Sequence, residues 1–428
     1  MIPVVYRNLL RDAQARRLLA GLGVSALGDG MSMVSVAWLA VLTAPAGNTG
    51  VFVGLALAAY ALPGAAGAVA LSRLLRHRPA RVLVLASSWL RAGCLGAIAL
   101  MWAAGALAPY GYVALLAGSS VLSAWGSAGE STLLSQLGGP RGRLAANSLY
   151  SAQASLAVIA GPALAGVLIA PLGIGSLLAV DAASFAFLGI QAWRTRLASA
   201  APEEAAAGSG GTESGFRQLR RLGLISLTIL TWLFFFLYGP VEDALPVYAA
   251  HDLHASAGLL GAYWTSFGAG ALAAALVTGT LRSRNMRRVT VAIVAGWGGC
   301  LLPFGFAPVP VTLACFALGG LIYGPFIPLT STLLQSSTPV ASLPAVLAAR
   351  SAIITVASPL GTAAGGPLVA ALGAAGTLTA SGAATVLLAL ATGLIWARRK
   401  RPGQAGNQAQ GSTVVVSRAR AAERAAVQ

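Results

Sequence analysis

The chain has 428 residues, of which 57% are hydrophobic and only 9% are charged. A soluble domain carries about 25% charged residues, so this composition cannot cover a water-facing surface; soluble, fibrous and disordered readings of the whole chain are excluded. Its 28 Lys and Arg against 11 Asp and Glu give a net charge of +17, which invites a nucleic-acid reading until the positions of the charges are considered.

Apolar stretches fall, in chain order, near 18–43, 51–72, 82–104, 111–134, 145–170, 175–193, 222–247, 258–281, 289–307, 311–334, 345–371 and 376–397. Most are long enough to cross a ~30 Å hydrocarbon core as helices at about 1.5 Å per residue. They lack the alternation of a lipid-facing strand, and only a helix satisfies its backbone within one crossing. The chain is therefore read as an all-α membrane protein with twelve transmembrane helices, numbered here as spans 1–12.

The connectors set the orientation. Arg7, Arg11, Arg16 and Arg17 precede span 1. Arg73, Arg76, Arg78 and Arg81 follow span 2; Arg141 and Arg143 follow span 4. Arg194, Arg196, Arg217, Arg220 and Arg221 follow span 6; Arg282, Arg284, Arg287 and Arg288 follow span 8. Arg398, Arg399, Lys400 and Arg401 open the tail, and the odd-numbered connectors hold no Lys or Arg. This alternation is what the positive-inside rule gives for an inner-membrane protein with both termini cytoplasmic, so the charge reports topology and no nucleic acid is expected. Contact with anionic lipid headgroups is expected from the same arginines.

The organisation follows: a cytoplasmic segment 1–17, a six-helix bundle 18–196, a cytoplasmic linker 197–221, a second bundle 222–397 and a disordered cytoplasmic tail 398–428. Span 1 is far longer than a signal-peptide apolar core and is read as uncleaved. Gly161, Gly166 and Gly173 recur 200 residues on as Gly361, Gly366 and Gly373, and the Arg73–Arg81 cluster recurs near Arg282–Arg288. A repeated six-helix unit is a secondary-transporter architecture, with its site at mid-membrane between the repeats.

No phosphate-binding lysine loop, HExxH or GxSxG occurs, and Lys400 in RRKRP cannot supply the first. No enzymatic activity, cofactor or metal is expected. Cys94, Cys300 and Cys315 lie in apolar runs and are read as buried thiols. His251 and His254 have metal-compatible spacing, but they sit with Glu242, Asp243 and Asp252 where a solvated loop is expected.

Ionisable residues within spans need a partner, water or neutralisation. Asp29, Arg91, Glu130 and Asp181 lie roughly 16, 13, 6 and 19 Å from the cytoplasmic ends of spans 1, 3, 4 and 6. Asp29 or Asp181 is expected to pair with Arg91, either as a structural tie or as a proton-exchanging site; Glu130 lies where Arg73, Arg141 or Arg143 could pair with it as a gate, or where it could snorkel to the surface. Arg350 is expected to snorkel to the cytoplasmic surface. Trp125, Trp232 and Phe235 are candidates for a substrate cavity.

Both halves carry segments that resemble the major facilitator superfamily, in its bacterial efflux branch of macrolide and siderophore exporters. They are SALGDG (25–30), LRAG (90–93), GPALAGVLIAPLG (161–173), VDAASF (180–185), ALPVYAAHDLHASAGLLGAY (244–263), YGPFIPLTSTLLQ (323–335) and SPLGTAAGGPL (358–368). The resemblance implies two pseudo-symmetric bundles rocking about a central cavity. It also implies proton-coupled export of a small, partly hydrophobic molecule such as an antibiotic, toxic metabolite or siderophore. Asp29, Glu130, Asp181 and Arg91 become proton-coupling candidates. Gly161, Pro162 and Gly166 match its antiporter motif, and Arg73 and Gln335 join them as gating candidates. Ser72 stands where the family's gating Asp is usual, Ser88 replaces a common acidic residue, and Pro344-Ala345 replaces a Gly-Arg pair. An importer or uniporter, or a non-transporting membrane sensor or assembly protein, are the alternatives; a monomer is expected.

Overall fold

The computed structural model describes residues 9, 11–75, 77–195, 217, 219–220, 224–278, 286–339 and 343–399. Among these every regular element is helical: α1 (Ala13–Thr43), α2 (Thr49–Ala70), α3 (Ser72–Leu75), α4 (Ala80–Ala103), α5 (Pro109–Ser120), α6 (Ser123–Leu172) and α7 (Ile174–Arg194) in the first half. The second half holds α8 (Ile225–Val247), α9 (Ala257–Thr278), α10 (Met286–Leu301), α11 (Val309–Tyr323), α12 (Phe326–Ser336) and α13 (Leu343–Arg399). Most of the linker and tail, with Arg7, Arg76, Arg196, Arg221, Arg282, Arg284, Lys400 and Arg401, lies outside the described residues.

The twelve spans map onto these helices with two kinds of departure. The connector expected after span 4 is helix broken at one residue, Gly139 (φ 60°), so α6 carries the end of span 4 and all of span 5. Spans 11 and 12 likewise share α13, broken at Gly373 (φ 72°, ψ 171°). Gly173, between spans 5 and 6, has nearly the same backbone (φ 75°, ψ 161°), so the 200-residue echo is conformational as well as sequential. A left-handed φ at these two turns costs glycine little and any other residue more. Conversely, spans 4 and 10 are each interrupted, between α5 and α6 and between α11 and α12. Pro325 sits at the second break, where its missing N–H cannot continue the helix.

Local chemistry fixes several ends. Asp12 caps α1, its Oδ1 accepting from the Gln14 N–H at 3.0 Å. The Arg81 guanidinium donates to the carbonyls of Ala192 and Trp193 at the C-terminus of α7. That satisfies orphan acceptors and complements the helix dipole. Beyond Pro246, span 7 loosens into a π-helical turn, Tyr248–Asp252. Asp252 is not merely solvated: its Oδ2 accepts from the Ala375 N–H at 3.1 Å, capping span 12 just after Gly373.

In the first bundle α1 packs on α6 and α7, and α4 on α7; in the second α8 and α10 pack on α13, and α9 on α11. Leu100, Val69, Leu390 and Leu394 are among the large apolar side chains left exposed on the outside, as lipid contact requires. Paired glycines bring helices together in both halves. Gly30 meets Gly161 between spans 1 and 5, and Gly239 meets Gly361 between spans 7 and 11. Two further pairs join the halves: Gly54 with Gly366 (spans 2 and 11) and Gly166 with Gly261 (spans 5 and 8). Both inter-half pairs lie toward the face whose connectors lack arginine. The halves are therefore sealed at that face, with a cavity between them on its other side.

Candidate functional site

The cavity encloses about 500 Å³. Spans 1–6 contribute Ser25, Asp29, Met33, Leu57, Tyr60, Arg91, Ser127, Glu130, Tyr150, Gln153, Pro162 and Phe185 to its wall, and the second half contributes Glu242, Trp264, Ser358, Pro359 and Thr362. The lining reaches Leu22 and Gln153, near the arginine-bearing ends of spans 1 and 5. Three carboxylates, Asp29, Glu130 and Glu242, face one guanidinium in a largely apolar wall.

The centre of the first half is a three-residue cluster. Arg91 Nη2 lies 2.5 Å from Asp29 Oδ1 and 2.8 Å from the Tyr60 hydroxyl, which itself donates to Asp29 Oδ1. The guanidinium also sits 4.2 Å above the Phe185 ring, a cation–π contact. The pair is unequally exposed, Arg91 at 13% and Asp29 at 42%, so the carboxylate is the member that meets cavity water. Helix geometry places these groups at one level: Asp29 is midway along α1 and Arg91 midway along α4.

Asp181 does not join this cluster. It is fully buried and absent from the cavity wall. Ser32 Oγ donates to its Oδ2 at 2.5 Å and Ser184 Oγ to its Oδ1 at 3.2 Å, tying span 1 to span 6. Glu130 faces the cavity and accepts from the Tyr150 hydroxyl at 3.0 Å, a partner on span 5. Arg73 is exposed on α3, and the side chains of Arg141 and Arg143 lie outside the described ones.

The aromatic candidates fall elsewhere. Trp125 donates its indole N–H to the Gly67 carbonyl at 3.0 Å, bracing span 4 against span 2. Trp232 stacks on Phe236 with ring centroids 5.2 Å apart, and Phe235 is buried against Phe234 and Phe326. None of the three lines the cavity; at their level of span 7 Phe234 and Phe235 pack on Phe326 in the aromatic core of the second bundle. Trp264 and Phe185 take that place. Of the gating candidates, Gly161 packs on Gly30, Pro162 lines the cavity, Gly166 seals against Gly261, and Gln335 is exposed at the end of α12.

Two further expectations are corrected. Glu242 and Asp243 are not in a solvated loop; both lie inside α8, Glu242 in the cavity wall and Asp243 fully buried. Glu242 Oε2 accepts from the Thr362 hydroxyl at 3.2 Å. Arg350 does not snorkel: its guanidinium donates to Ser331 and Thr330, both at 2.9 Å, joining span 11 to span 10. Both misreadings place a polar side chain at the nearest water, whereas hydroxyls on the neighbouring helix were available. Tyr60, Tyr150, Phe185, Glu242 and Thr362 were not singled out for the cavity; the position of Glu242 before the end of the apolar run of span 7 was the readable signal.

The comparisons with known proteins agree with this architecture. The multidrug efflux pump Tap of Mycobacterium bovis is 27% identical over 392 residues, covering 87% of this chain and 90% of the relative. The protein of the same name from Mycolicibacterium fortuitum is 30% identical over 258 residues, 57% of this chain and 61% of the relative. Among solved structures, the nucleoside transporter NupG superposes with a TM-score of 0.66 at 14% identity, over 90% of this chain and 99% of that one. A bacterial homologue of the human lysosomal transporter Spinster, in an inward-facing unoccupied conformation, gives 0.64 at 12% identity, over 92% and 96%. The two structural likenesses speak to fold alone. A family model described as Major Facilitator Superfamily matches residues 18–284 and 224–426. With two repeated six-helix bundles enclosing a cavity that holds ionisable side chains in a largely apolar wall, and that match running through both, the chain belongs to the Major Facilitator Superfamily of membrane transporters.

Proposed function

We propose that the chain exports a small, partly hydrophobic molecule from the cytoplasm in exchange for protons, by alternating access. On this reading the arginine-bearing face is cytoplasmic, as positive-inside asymmetry favours, and the cavity described above is open inward. The observation that carries it is the Asp29–Arg91–Tyr60 cluster: a half-exposed carboxylate in a transport cavity, held by a cation and a hydroxyl. Protonation of Asp29 would release Arg91, and return of Arg91 would expel the proton, so the site has two states that a gradient can drive. A cavity of this size suits a drug-sized ligand. Its carboxylate excess and its rings, Trp264, Phe185 and Tyr60, suit one with a cationic group on an apolar body. Antibiotics and toxic metabolites fit that description; an iron-free anionic siderophore fits it less well. The relatives named as multidrug efflux pumps support export over import.

The test is accumulation of ethidium by intact cells with and without a protonophore. Cells carrying the chain should hold several-fold less dye than cells lacking it, and the protonophore should abolish the difference. Asp29→Asn at equal membrane abundance should behave as the empty cell. Low accumulation that survives the protonophore would exclude proton coupling, and dye uptake down its own gradient, indifferent to the protonophore, would mean uniport. Unchanged efflux by Asp29→Asn would remove that carboxylate from the mechanism.

A further inference from the structure

Asp243 has no part in the cavity chemistry above, yet it is placed where the two halves close. It is fully buried on α8, next to the cavity residue Glu242. Its carboxyl occupies a cradle made by glycines from both halves. A Cβ on Gly54 of span 2 would lie 3.1 Å from Asp243 Oδ2 and 2.9 Å from Gly366 Cα, and a Cβ on Gly365 of span 11 would overlap the same carboxyl. The cradle and the seal are thus one structure, and any larger residue at these glycines would displace the carboxyl or part the helices. Neither carboxyl oxygen has a hydrogen bond of good geometry, although the Gly366 backbone N–H lies beside it.

The surrounding charges offer no relief. On its own helix the titratable neighbour is Glu242, another acid. Span 11 presents Gly365, Gly366 and the hydroxyl of Thr362, which bonds Glu242. Span 2 presents Gly54, while Gly50 packs on Val369 and Tyr60 lies further down in the Asp29 cluster. Span 1 carries Asp29, whose partner Arg91 is already engaged. An ionised carboxylate sealed here would be desolvated without a counter-charge, whereas the neutral acid fits. When the halves part at this face, water reaches the carboxyl and either form is tolerated.

We propose that Asp243 is a proton-operated latch on the arginine-free gate: spans 2, 7 and 11 close over its neutral carboxyl and part when it ionises. One proton is taken from the solution at that face as the gate shuts and returns there when it opens. The inference rests on the alternating-access reading. Under that reading it makes the return of the empty carrier to the inward-open state depend on protons at the outer face. Unlike Asp29, Asp243 does not itself line the cavity, so the two acids do separable work.

The experiment uses the full chain in lipid nanodiscs, with Cys94, Cys300 and Cys315 replaced by Ser. Spin labels are placed through Asn48→Cys and Leu372→Cys, exposed positions on the two sides of this gate. Pulsed electron resonance reads the distance between pH 5 and pH 8. The latch predicts a short distance at low pH and a growing long-distance population as pH rises, with the open-to-closed ratio changing by up to about tenfold per pH unit. Asp243→Asn, a neutral isostere, and Asp243→Ser should both stay closed across the range. A wild-type distance indifferent to pH would overturn the proposal, as would variants that keep the wild-type response. Efflux by Asp29→Asn tests the transport reading separately, because the gate distance is measured without substrate.

Discussion

The seal between spans 5 and 8 yields the most quantitative expectation. Gly166 and Gly261 sit backbone to backbone; a Cβ added at Gly166 would lie 2.8 Å from Gly261 Cα and 3.1 Å from Gly261 C. Carbon atoms rest at about 3.5–4.0 Å, so alanine alone demands roughly 1 Å of separation and leucine more. Neither neighbour is a flexible side-chain tip; the atoms met are backbone, and the helices themselves must part. Overpacking costs typically about 1–3 kcal/mol. Here that cost falls on one conformation only, since the two glycines meet when this face is shut. A bias of about 1–3 kcal/mol shifts a two-state ratio by about 5–150-fold toward the state open at the arginine-free face. Gly166→Leu should therefore lengthen the Asn48–Leu372 label distance, and Gly166→Ala should do so partially. A folded, membrane-inserted Gly166→Leu protein whose distance distribution matched the wild type would refute the inference that these glycines hold the seal.

Three other substitutions separate the roles around the cavity. Tyr60→Phe removes a hydroxyl that both donates to Asp29 and accepts from Arg91, so efflux should fall about tenfold, the equivalent of losing about 1.4 kcal/mol of a charge-assisted bond, in an initial-rate dye assay. Glu242→Gln keeps the bond to Thr362 within reach but removes a charge; binding of a cationic dye should weaken several-fold by fluorescence titration, while an uncharged dye of similar shape should be unaffected. Asp181→Asn should retain most efflux and lower the thermal midpoint in detergent, because Asp181 ties Ser32 to Ser184 away from the cavity; complete loss of efflux with an unchanged midpoint would return it to the transport path.

Much of this arrangement is legible in the sequence, and most of what is not depends on packing between helices. Spacing along a helix fixes depth, so the level of Asp29 with Arg91 could be read from a 1.5 Å rise, and the two are in fact paired. Rotation about the helix axis is fixed by packing, which a single sequence does not reveal. Phe235 and Glu242 stand seven residues apart, on one side of span 7, yet the first packs in the aromatic core and the second lines the cavity; Pro240 lies between them inside the helix, and the neighbours differ with depth. Asp181 and Arg350 illustrate the same point with polar partners, each satisfied by serine or threonine hydroxyls on a neighbouring helix. The break of span 10 has a visible cause in Pro325; that of span 4 near Val121 has no proline, but there the Ser119 and Ser120 hydroxyls donate back to the Leu116 and Ala117 carbonyls and the Val121 carbonyl packs against Gly67 of span 2. The glycine echo carried more than expected, since its members are both the turns and the seals.

Coupling between substrate and protons is the centre of the account, and it is read directly in proteoliposomes holding a trapped pH-sensitive dye. Addition of ethidium to one side should drive proton movement the opposite way in the wild type. Asp29→Asn should still bind the cation and move no protons. Dye transport with no accompanying proton flux, or proton flux undiminished in Asp29→Asn, would contradict the account.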